Sequence, residues 1–184
     1  MKKIMILIVS IFLLTGCETP EDKTNDVIDD LLEHSNFEME LLTEVTESIE
    51  SNYSIMEGFG EFTLLPPELI GDVDINMYMN ENETTYYRVT GYPDVLSTGR
   101  FVTSIVTSDT SINVYDLFVG KEITNDDLDE YMETIGYSPD DRFVGVVQRV
   151  YVNEHVYIRV YLENGVITGI RVEVDVTNEE GVIF

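Results

Sequence analysis

Oxygen-bearing side chains recur at near-alternate positions between residues 72 and 83. Asp72, Asp74, Asn76, Tyr78, Asn80 and Glu83 stand at positions 1, 3, 5, 7, 9 and 12 of a loop that would wrap a calcium ion. Position 6 of such a loop needs glycine for its sharp turn, and here it is Met77. The same residues fit a half-buried strand, with Val73, Ile75, Met77 and Met79 facing inward and the polar set facing out. We favour the strand, so Asp72, Asp74, Asn76 and Glu83 are metal candidates with no metal expected. A second group of acids, Asp126, Asp127, Asp129 and Glu130, opens a short helix, where carboxylates complement the helix dipole. Asp140-Asp141 and Glu179-Glu180 read as a solvated turn and tail.

Catalysis finds little purchase. His34 and His155 are isolated in sequence, and no phosphate loop, HExxH or GxGxxG occurs. With 36 acids in the chain, a pair of carboxylates is always available and carries no weight. A binding surface has better support. In the stretch His155 to Leu162, alternation puts Val156, Ile158, Val160 and Leu162 on one side and Tyr157, Arg159 and Tyr161 on the other. Ile170, Val172, Val174 and Val176 likewise oppose Arg171, Glu173 and Asp175. Tyr and Arg are the types enriched where binding energy concentrates. Tyr157, Arg159, Tyr161 and Arg171 are therefore the candidate partner-binding residues.

The chain begins with Lys2-Lys3, an apolar run from Ile4 to Leu14, and then Leu14-Thr15-Gly16-Cys17. Its apolar core is shorter than the roughly 18 residues a membrane-crossing helix needs. Charged start, greasy stretch and small residues before a cleavage point form the layout of a secretory signal. Ending on the only cysteine, it resembles bacterial lipoprotein signals. That resemblance implies that residues 1–16 are removed and that Cys17 carries a diacylglyceryl thioether. The lipid would hold the protein on the extracytoplasmic side of the cell membrane, since two acyl chains anchor stably. Cys17 has no intramolecular disulfide partner, and no other cofactor is expected.

The formal charge is −26. Removing residues 1–16 takes away two lysines and no acids, leaving 8 basic against 36 acidic residues, a charge of −28. Such a balance excludes a nucleic-acid groove, which needs clustered Lys and Arg. It also opposes docking on an anionic lipid surface. A hydrophobic content of 43%, with 11 Tyr and 8 Phe, argues for a folded core. Membrane contact is expected through the lipid alone.

Residues 17–24 read as a flexible tether. A helix is expected over 25–33. A second is expected from Ser35, where Ser35 and Glu38 stand as a capping box before Leu41, Leu42, Val45 and Ile49. Strands are expected at Val73–Met79, Tyr86–Thr90 and Phe101–Thr107. Thr124 caps a further helix carrying Leu128, Tyr131, Met132 and Ile135 at helical spacing, closed by Gly136. A three-stranded meander follows, Phe143–Val152, His155–Leu162 and Val166–Val176, with Asn164-Gly165 as a hairpin turn.

The run from Val102 to Asp109 echoes that from Ile167 to Asp175, so a helix-then-meander unit is read twice, over 36–109 and 110–184. The stretch Val119-Gly120, Ile123-Thr124, Asp127-Leu128 and Ile135-Gly136 before a meander resembles the helix–sheet repeat of beta-lactamase-inhibitor-protein-like (BLIP-like) domains. The whole chain is also similar to uncharacterised Gram-positive lipoproteins. The resemblance implies an α+β fold and function through protein contacts, and it transfers no catalytic residue. The expected architecture is α+β, with N-terminal helices and antiparallel meanders packed on one face by helices. Its segments would be 1–16, 17–24, 25–109 and 110–184. The expected function is non-enzymatic binding or modulation of another envelope protein or peptide. The alternative is capture of a small ligand or cation for transport or sensing.

Overall fold

A computed structural model describes residues 20–43, 63–64, 68–70, 73–91, 100–140, 142, 147–175, 177–178 and 181–182. Helix α1 runs Pro20–Glu33 and α2 runs Asn125–Thr134. The larger strands are β3 (Val73–Met79), β4 (Thr85–Gly91), β5 (Arg100–Thr107), β9 (Gln148–Asn153), β10 (Val156–Glu163) and β11 (Val166–Val174). Short ones are β1 (Thr63–Leu64), β2 (Glu68–Ile70), β6 (Asn113–Val114), β7 (Leu117–Phe118), β8 (Ser138–Pro139), β12 (Thr177–Asn178) and β13 (Gly181–Val182). The class is α+β, dominated by antiparallel sheet.

One sheet orders its strands β1-β3-β4-β5-β11-β10-β9-β8, with β2 also on β3. The two meanders, β3–β5 and β9–β11, meet where β5 pairs antiparallel with β11, Ile105 opposite Val172. The segments divided at residue 109 are thus joined in one sheet. Alternation, shifted at Arg88/Val89 and Tyr161/Leu162, then gives that sheet two unlike faces. Val156, Ile158, Val160, Ile170, Val172 and Val174 are buried on one of them, in a cluster with Ile28 and Leu31 of α1 and Leu128 and Met132 of α2. We call this the helix face. Tyr78 and Tyr87, directly opposite one another on β3 and β4, are fully buried in the same cluster.

Helix α2 starts where the Thr124 hydroxyl accepts the Asp127 N–H at 3.2 Å. It stops at Ile135 and Gly136, the latter at φ +89°, a left-handed conformation that favours glycine. The β10–β11 turn has Asn164 at φ +53° and Gly165 at φ +79°, the pair of positive angles that Asn-Gly adopts readily.

Four expectations are corrected. The helix begins at Pro20, not Asn25, because proline's fixed φ and missing N–H suit a first helical turn. The expected tether therefore ends earlier, and Thr24 is fully buried. Residues 35–43 form no helix. Ser35 bridges to Val114, and its hydroxyl donates back to the Leu31 carbonyl at 2.8 Å, so it finishes α1 instead of capping a new helix. The rest of that expected helix, 44–50, lies outside the described residues, as does Cys17. On β3 the inward set is reversed: Tyr78 faces the helix-face core, while Met77 and Met79 lie half-buried on the other side. Tyr78 stands opposite Tyr87, and burying that pair of large rings in the helix-face core decides the orientation over the flexible methionines. Finally, Asp140 is buried rather than solvated, held by Arg142 through Nε at 2.9 Å and Nη2 at 2.7 Å. Asp141, Val176 and Glu179-Glu180 fall outside the described residues.

Candidate functional site

The opposite face of the sheet carries the candidate partner-binding residues, and the register brings all four together. Tyr157 lies across from Glu173, Arg159 from Arg171 and Tyr161 from Gly169. Glu173 is the hub. Arg171 Nη2 is 2.7 Å from its Oε2, Arg88 Nη2 donates to its Oε1 at 2.7 Å, and Arg159 Nε is 3.8 Å from Oε2. The four charged side chains are 17–26% exposed, so water only partly screens them. Three of the eight basic residues beyond position 16 thus converge on a single carboxylate, in a protein otherwise short of positive charge.

Hydroxyls beneath the guanidinium groups fix their aim. Arg171 Nε donates to Ser104 Oγ at 3.0 Å and Arg88 Nε to Thr103 Oγ1 at 3.3 Å. Thr103 and Ser104 are buried. Tyr161 lies against Gly169, with its Cδ2 3.4 Å from where a Cβ would stand. The missing side chain leaves room for the ring to approach the β11 backbone. Arg88 was not among the residues singled out in the sequence. It sits on β4, 85 residues from Glu173, and only the β4-β5-β11 strand order makes them neighbours.

Among the described residues, the metal candidates do not share one loop. Asp74 and Asn76 lie along β3, and Glu83 is in the turn after it. An extended strand advances about 3.3 Å per residue, so Asp74 and the turn lie on the order of 17 Å apart along the chain. Tyr78 points into the core, and Asp72 is outside the described residues. Asn80 is committed to the turn, where its Oδ1 accepts the N–H groups of Thr84 and Thr85, each at 2.9 Å. Two of the acids of α2, Asp127 and Asp129, also have partners within the fold. Asp127 Oδ2 accepts the Thr124 hydroxyl at 2.6 Å, and Asp129 accepts the Tyr151 hydroxyl at 2.7 Å and pairs with Arg149 at 3.5 Å.

A groove of about 580 Å³ opens on the helix side. The end of α1 and the residue after it supply Asp30 and His34, the β6–β7 turn Tyr115 and Asp116, and the end of α2 with its C-cap Tyr131 and Ile135. The Tyr115 hydroxyl donates to Asp30 Oδ2 at 2.6 Å, and the Tyr131 hydroxyl to the Tyr115 carbonyl at 2.6 Å. The His34 ring stacks on Tyr115, with centroids 5.3 Å apart. Burial, reinforced by the hydrogen bond to Asp30, pushes the Tyr115 phenol well above its ordinary range. Burial also raises the Tyr131 phenol.

No family, no curated protein and no solved structure matches this chain. No helix among the described residues is long and apolar enough to cross a membrane.

Proposed function

We propose that the chain is an extracytoplasmic lipoprotein, tethered through diacylglycerol on Cys17, that binds another envelope protein or peptide without catalysis. The observation that carries this reading is the arginine face: two tyrosines and three arginines around Glu173 on a rigid sheet surface, opposite both described helices. The guanidinium groups of Arg88 and Arg171, held by buried hydroxyls, lose little freedom when a partner docks, which raises affinity for a given contact area.

The finer architecture belongs to the same proposal. Helix α2 before meander β9–β11 supports a helix–meander unit of the BLIP-like kind over 110–184, whereas the unit over 36–109 has meander β3–β5 but no helix in its described residues 36–43. The echoing runs fall on β5 and β11, the two strands that meet at the centre of the sheet.

Photo-crosslinking in intact cells tests the reading. A photoreactive residue at Tyr86 or Gln148, both half-buried at the borders of the arginine face, should capture one defined envelope partner. The same residue at exposed Glu130 on α2 should not. Equal capture from all three positions would contradict a dedicated face. The alternative reading, capture of a small ligand or cation, draws support from the groove between the helix ends.

A further inference from the structure

The groove on the helix side is built from groups that suit a positively charged amine. We propose that it binds an alkylammonium group, presented by a free amine or by a lysine side chain; this names the ligand class for the alternative reading and is independent of the arginine face.

Three observations carry the assignment. First, the groove combines aromatic and anionic groups without a guanidinium on its lining. Tyr115, Tyr131 and His34 supply rings, while Asp30 and Asp116 supply carboxylates. Ammonium ions are held by ring faces through the ring quadrupole and by carboxylates through charge. Second, the chain already shows this chemistry at the rim. Lys121 Nζ lies 5.5 Å from the centre of the Tyr131 ring and donates to the Asp116 carbonyl at 2.9 Å. An ammonium thus already rests over the Tyr131 ring and on a backbone oxygen of Asp116. Third, the formal charge of −26 draws cations toward the surface and raises their local concentration.

The backbone is bent to make the groove. Tyr115 and Asp116 are consecutive residues at φ +48° and +58°, where a two-residue hairpin turn ordinarily carries Asn-Gly. Non-glycine residues in this left-handed conformation are strained. The gain from this costly pair is a phenol hydrogen-bonded to Asp30 and a carboxylate beside the opening.

The test is a titration of the full chain, carrying ¹³C-labelled tyrosine, followed through the Tyr115 and Tyr131 ring signals. The probes are butylammonium chloride, butanol as its neutral counterpart, and a short peptide with one lysine. Saturable shifts are expected with butylammonium or the peptide and none with butanol. Exposed Asp116 changed to asparagine should weaken binding about three-fold, and Tyr131→Leu about ten-fold, whereas Tyr131→Phe keeps the ring and most of the affinity. Tighter binding of the peptide than of butylammonium assigns the ammonium to a protein partner; equal binding assigns it to a free amine. Shifts with butanol equal to those with butylammonium, or no saturable shift with either cation, would overturn the proposal. So would an Asp116→Asn variant, folded by circular dichroism, that binds as the parent does. None of these results bears on crosslinking from the arginine face.

Discussion

The two faces of the sheet are made by the same strands, yet they solve opposite problems. On the helix face, Val156, Ile158, Val160 and Val172 are wholly buried, and their contribution is removal of apolar area from water. On the arginine face, the residues between them place Arg159, Arg171 and Glu173 in a network that remains about one-fifth exposed. One face has no freedom to change its contacts. The other holds charge that is neither fully hydrated nor fully buried, the state in which a docking partner alters its energy most. A period of two is enough to write stability and recognition into one segment of chain.

Alkali should break the difference most completely. Burial holds the phenols of Tyr87, Tyr137, Tyr115 and Tyr151 above their usual range, with hydrogen bonds to Asp30 and Asp129 adding to it for the last two. Because folded values exceed unfolded ones, their stabilising effect is complete below about pH 10 and is lost as pH rises beyond it. Absorbance at the phenolate band should therefore rise together with loss of near-ultraviolet circular dichroism. Gradual ionisation with the fold intact would contradict the burial of these rings.

Substitutions extend the scale downward. Ile158→Ala on the helix face should cost about 2–5 kcal/mol by urea unfolding. On the other face, Glu173→Gln removes the one carboxylate shared by three arginines and should cost about 1–3 kcal/mol, moderated by partial exposure. High salt should shrink the second loss and leave the first unchanged. Thr124→Ala removes the cap of α2 and should cost about 1 kcal/mol, leaving the arginine face untouched.

The parts legible in sequence are those where local signals agree. Thr124, Asp127 and Gly136 mark α2 at both ends, and alternation from Val156 to Leu162 with Asn164-Gly165 defines the last hairpin. The illegible parts depend on distant partners. Ser35 and Glu38 match a capping box, but the chain there is held by Val114, far along the sequence. On β3 both alternate sets contain apolar atoms, so alternation alone could not orient Tyr78. The four site residues near the C-terminus share a face because they share a hairpin, while Arg88 joins them only through sheet order. The groove draws on three separate segments and leaves no local pattern at all.

The decisive measurement is on the Tyr157→Ala, Tyr161→Ala double variant, followed by partner crosslinking in cells and by thermal melting of the purified protein. A binding face predicts that the crosslink disappears while the midpoint falls by only a few degrees, about 1–2 kcal/mol for a domain of this size. An unfolded variant, or a stable one that still captures the partner, would contradict it.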